Sequence, residues 1–168
     1  MSCAELLAKI SSPDLRNVVL HWDEARCERP MPGWRDIQPS RIAAQLPMIW
    51  VYRYDERTDQ FTARLAGDRI EEMFGKSFRG VLMTALHPKE HYPLLFAKSK
   101  RVTCGPALYH STGALFPHLD RYGIGERIMM PLSETGVLGD GLMGATVYER
   151  SIRPVPPPGP QIESWFGV

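Results

Sequence analysis

The chain has 168 residues, 43% of them hydrophobic and 23% charged, and twenty Lys and Arg against nineteen Asp and Glu leave a formal net charge of +1. That is the composition of one folded domain with a short appendage. It excludes a basic nucleic-acid-coating protein and a disordered chain, and no window approaches the roughly 20 apolar residues of a membrane helix.

Cys3, Cys27 and Cys104 are an odd set without C-x-x-C spacing. Residues 1–10 carry no basic stretch followed by an apolar run, so no secretory signal is expected and a reduced, cytoplasmic setting is. Ser2-Cys3-Ala4-Glu5 has the spacing of a capping box, and Ser12-Pro13 starts a second helix with proline in its first turn. From there Leu15, Val18, Val19 and Trp22 fall on one face. Such a stripe suits docking on a sheet or pairing with a second copy, and a homodimer through these four residues is expected. Pro30-Met31-Pro32-Gly33 ends the helix, and a short helix is expected over Pro39–Gln45, before Pro47.

The period then changes. Met48–Tyr54 is aromatic and β-branched, a polar turn follows, and Gln60–Ala66 alternates, which predicts an antiparallel hairpin. Asp68–Phe74 reads as a short helix closed by Gly75. A longer helix runs to about Val102, either starting near His91 or kinking at Pro93. Ala107–Thr112, Arg127–Leu132 and Leu142–Tyr148 read as strands, with a long loop, 113–125, between the first two. Arg153–Pro160 reads as an extended, polyproline-like exit, a stiff spacer or a ligand for a partner groove. Beyond it, Trp165 and Phe166 have the size to dock on the domain or on another chain. The expected fold is α+β: a five-stranded antiparallel sheet, middle helices on one face and the N-terminal amphipathic helix on the other.

Gly75-Lys76-Ser77-Phe78-Arg79-Gly80 followed by Leu86-His87-Pro88-Lys89-Glu90 resembles the pattern of a PAS domain. Met31-Pro32, Arg35-Asp36-Ile37-Gln38-Pro39, Leu46-Pro47 and Arg64-Leu65-Ala66-Gly67 are similar to a group of small single-domain PAS-like proteins of alphaproteobacteria. Asp68 departs from that pattern, in which a small polar residue follows the glycine. The resemblance covers residues 12–150 and divides the chain into a helical cap (1–33), a PAS-like domain (34–150) and a proline-rich tail (151–168). It implies a sensory or adaptor module of bacterial signalling that binds a small ligand, a signalling protein such as a histidine kinase, or both.

Arg64 lies in an otherwise apolar strand and wants an anion, either a carboxylate of the chain (Asp36 or Asp68) or a ligand's. Trp50, Tyr52, Phe61, Tyr109, His110, Met130 and Tyr148 are core residues by periodicity and equally the candidates to line a ligand pocket. His87 and His91 have metal-ligand spacing only if a helix joins them, and Pro88 and Pro93 argue against one. A third ligand is not identifiable, a haem iron on either histidine has no further support, and no cofactor is assigned. Cys104 lacks the surroundings of a flavin-reactive thiol and reads as free and buried. The competing reading is a small enzyme, an isomerase or dehydratase with a general base in a cavity, for which His110 or Asp120 are the candidates.

Overall fold

The structure, a computed structural model, describes residues 2–116, 123–150 and 161–168. Two helices open the chain, α1 (Ser2–Lys9) and α2 (Pro13–Arg26). The second starts as its sequence dictates: Ser12 is extended, its hydroxyl accepts the Leu15 N–H at 3.4 Å, and Pro13 occupies the first turn. A 3-10 turn, Trp34–Asp36, leads to a 3-10 segment, Pro39–Met48. This segment runs past the expected stop at Gln45. It consists of two short pieces kinked at Ile42, so Pro47 interrupts no continuous α-helical ladder.

The hairpin forms as expected, from β1 (Ile49–Asp55) and β2 (Gln60–Ala66), with a register shift at Val51/Tyr52. Helix α3 (Asp68–Phe74) ends at Gly75, whose φ of 67° is the left-handed geometry the sequence anticipates there. Then come α4 (Met83–Leu86), α5 (Tyr92–Cys104), β3 (Ala107–Ala114), β4 (Gly123–Leu132), β5 (Gly141–Arg150) and β6 (Ile162–Gly167). Pro93 falls in the first turn of α5, so the helix begins at His91–Tyr92 and does not kink.

The strands form one antiparallel sheet in the order β2-β1-β5-β4-β3-β6. Six strands replace the expected five, because the chain's end is not a free tail. β6 pairs with the edge of β3, and Trp165 lies with its ring centroid 4.7 Å from that of Tyr109 and 3.9 Å from the Arg101 guanidinium. The polyproline reading of Arg153–Pro160 lies outside the described residues.

Alternation splits the sheet's side chains between two cores. Leu108, Ile128, Met130, Ile49, Val51, Met143 and Ala145 face α1, α2 and the 3-10 segments. Trp50, Tyr52, Tyr109, Met129 and Leu142 face α3, α4 and α5. Leu15, Val18, Val19 and Trp22 of α2 belong to the first core and are at most 1% exposed. This corrects the expected dimer surface: the stripe is consumed within its own chain, and the Trp22 indole N–H donates to the Pro131 carbonyl at 2.9 Å. Among the described residues no helix is long and apolar enough to cross a membrane.

Candidate functional site

Between the sheet and the middle helices lies a small cavity of about 30 Å³. Trp50 and Tyr52 of β1 and Arg127 of β4 form its floor. Ile70 and Phe74 of α3, Phe78, His87, Leu95 of α5 and Phe116 close over them. Past His87, Leu95 and Phe116 the space continues into a mouth of about 100 Å³, bordered by Tyr109, Met129, Lys98 and Gln161. The walls are rings set edge to face: Phe74 against Phe78 at 4.9 Å, against His87 at 5.3 Å and against Phe116 at 5.8 Å. Gly144 makes this packing possible, since a Cβ there would come within 2.2 Å of the Trp50 indole. The indole N–H in turn donates to Thr146 Oγ1 at 3.0 Å.

Arg127 is the exceptional group. Its Nε–H donates to Thr146 Oγ1 and one Nη2–H to the Leu115 carbonyl, both at 3.2 Å. The guanidinium lies 5.1 Å from the Phe116 ring centroid and 6.0 Å from that of Trp50;. Of its five N–H donors, two are used by described residues. Among the described residues no carboxylate is within ion-pair distance of it. Desolvation pulls its pKa below the ordinary arginine range, with Tyr109 and Tyr52 partly offsetting that. The Tyr52 hydroxyl, 3.3 Å from His87 Nε2, is pushed well up by burial and stays protonated. The site can therefore offer a positive charge and hydrogen-bond donors inside an aromatic shell.

Of the residues anticipated for a ligand pocket, Trp50 and Tyr52 line the cavity and Tyr109 its mouth. Phe61 and Tyr148 are buried beside it without lining it: Phe61 stacks with Tyr54, and the Tyr148 hydroxyl donates to the Arg69 carbonyl at 2.7 Å. Met130 and His110 point to the opposite face, because residues of one strand alternate. Arg64 is exposed, 4.9 Å from the Trp34 ring, and pairs with neither Asp36 nor Asp68. Asp36 is held instead by Arg29 at 2.5 Å, and this contact together with the Gly33 N–H keeps its carboxyl below the usual range.

His110 is buried against Glu126, with Nε2 2.7 Å from Oε1. The same carboxylate accepts the N–H groups of Ser11 at 2.9 Å and Ser12 at 2.8 Å. It thus fastens the α1–α2 corner to the sheet. A histidine so placed, buried and fastened to Glu126, is a structural tie. Asp120, the other candidate base, lies outside the described residues.

His87 and His91 sit on either side of the break between α4 and α5, and the helix that would have brought their rings together does not form. Among the described residues, no three His, Cys, Asp or Glu side chains are grouped to hold a metal ion. Cys104 is exposed, not buried as expected; Cys3 is the buried thiol, pushed up to about 12 by desolvation and by Asp23.

Arg127 is not among the anticipated site residues; a strand over Arg127–Leu132 puts it at the first position. Longer pairing, to Gly123, puts it mid-strand, and alternation with Met129 then turns it toward the middle helices.

No curated protein and no solved structure matches the chain. A family model described as PAS domain matches residues 10–135. With an antiparallel sheet clasped by helices and a match over most of its length, the chain belongs to the PAS domain family, whose members are sensory and signalling modules.

Proposed function

We propose that the chain is a ligand-responsive signalling module whose ligand is a small organic anion with an apolar or aromatic body. The carboxylate lies on the free donors of Arg127, and the body takes the place of the rings of Phe74 and Phe116. The observation that carries this reading is a guanidinium set among aromatic rings, with most of its donors unspent among the described residues. Buried charges are normally paired, and a ligand would supply the missing partner. At about 30 Å³ the cavity is smaller than a ligand of this kind requires, so binding has to push α3 to α5 outward. That displacement is the signal: the ligand favours the open packing and shifts the population toward it.

The cavity's small size also favours a second reading, an adaptor whose filled core recognises a partner protein. Native mass spectrometry of the purified protein, with thermal melting in benzoate, phenylacetate and branched aliphatic carboxylates, separates the two. The sensor reading expects a retained anion or a raised melting temperature, lost in Arg127→Met. Melting that none of these carboxylates changes, or changes equally in Arg127→Met, favours the adaptor.

A further inference from the structure

A second and larger concavity lies away from that cavity, between the Trp34–Asp36 turn, the β1–β2 hairpin and the β4–β5 loop. It has a volume of about 390 Å³, within the range of small-molecule sites. Arg53 and Arg64 stand on the same face of the hairpin, with Arg35 facing them from the turn. All three are exposed, and no ion pair or side-chain hydrogen bond to a described residue involves any of them. Like charges side by side on one sheet face oppose each other, and a bound dianion would reverse the sign of that interaction.

The groove is also more than a charged surface. Arg64 is held over the Trp34 ring, which fixes its guanidinium in place before anything binds. Val51 and Leu132 give the floor an apolar patch, and the carboxylates of Glu134 and Asp140 stand on the loop side. Asp140 Oδ2 already accepts the Glu134 N–H at 2.8 Å, so this corner is set by the loop itself. The groove sets acceptors beside arginines over an apolar floor: Asp140 precedes Gly141, the strand partner of Arg53, and the Glu134 carboxylate lies by Gly33, next to the turn that carries Arg35.

We propose that this groove binds a phosphate-bearing small molecule. Arg53 and Arg64, joined by Arg35, take the phosphate, and Glu134 and Asp140 accept hydrogen bonds from hydroxyl or amino groups beside it. Paired guanidinium forks favour a dianionic phosphate over a single carboxylate. The two acidic residues in the groove would repel an acidic peptide lying along its full length.

Isothermal titration of the full chain with inorganic pyrophosphate, adenosine diphosphate and a deca-glutamate peptide tests this. The expected result is saturable one-to-one binding of both phosphate probes, tightest for the diphosphate that carries hydroxyls, and weakened at least about tenfold in Arg53→Gln/Arg64→Gln. Lys89→Gln, in the turn between α4 and α5 and outside the groove, leaves affinity unchanged. Because Arg53 and Arg64 are exposed and unpaired, the double variant should melt no lower than the parent; if it misfolds, the single variants are read instead. Three results would overturn the proposal: no saturable binding of either phosphate, equal affinity in the arginine variants, or tighter binding of deca-glutamate than of both phosphates.

Discussion

Glu126 and Arg127 are neighbours on β4 and point to opposite faces of the sheet, where they meet opposite fates. Glu126 is enclosed and fully employed: one carboxylate serves His110, Ser11 and Ser12. Among the described residues Arg127 has two hydrogen-bond partners and no carboxylate beside it. The two covers differ likewise. On the Glu126 side α2 is capped by Ser12, and Leu6, Leu15, Val18, Val19 and Trp22 of α1 and α2 are almost completely removed from water. On the Arg127 side α3, α4 and α5 lean on a ring-lined gap, and α4 is a single turn. One face holds the fold together, and the other keeps a cation with no carboxylate partner among the described residues.

The largest expected effect comes from breaking the satisfied side. Glu126→Ala strands two backbone N–H groups and a buried imidazole, and should cost about 3–5 kcal/mol. Urea unfolding measures it, and a loss under about 1 kcal/mol would mean the carboxylate ties nothing. Next is the helix stripe: Leu15→Ala, fully buried, should cost about 2–5 kcal/mol in the same assay. If the stripe instead serves a dimer, Leu15→Ala should shift the subunit count in light scattering while leaving the monomer's stability intact.

Arg127→Met is expected to do the reverse of Glu126→Ala. Replacing an unpaired, desolvated cation by an apolar side chain of similar length should be neutral or stabilising, within about 1–2 kcal/mol. A large loss would show that Arg127 is a structural tie like its neighbour, and would remove the contrast between the faces.

The smallest expected effect is on pH dependence. His21 accepts the Gln38 N–H through Nε2 at 2.9 Å, leaving Nδ1 buried without a partner. Burial and then Arg41 lower its pKa, so the folded state prefers the neutral ring. The unfolded chain then binds more protons as pH falls through about 6.5, and stability declines from there downward. The depressed carboxyl of Asp36 contributes its own decline only lower, as pH passes below about 4. Urea midpoints at pH 7.5 and 5.5 check this: the drop should shrink in His21→Gln, and an unchanged drop would assign it to other groups.

These contrasts also show what a chain reveals before it is folded. The stripe Leu15, Val18, Val19 and Trp22 was legible at once, because helical spacing records which face is buried. What it could not record is against what. The same spacing serves a sheet and a second copy, and only the sheet's outward row of Leu108, Ile128 and Met130 decides between them.

The hairpin and the α3 stop were legible for local reasons, alternation in one and left-handed glycine in the other. β6 was not. Ile162–Gly167 is six residues after a proline run, and its strand character comes from the edge of β3 and from Tyr109, both distant in sequence. The site was half legible. Trp50 and Tyr52 follow from strand parity, but Arg127 required the full length of β4. His87 required a break that brings a helix-terminal residue over a tyrosine 35 positions away.

The central claim is that the Arg127 face moves when an anion arrives while the Glu126 face stays. Hydrogen exchange of the full chain, with and without a carboxylate that shifts its melting temperature, measures both faces at once. The account predicts altered protection in α3, α4 and α5, with α1 and α2 unchanged. Altered protection confined to α1 and α2, or none anywhere at saturation, would contradict it.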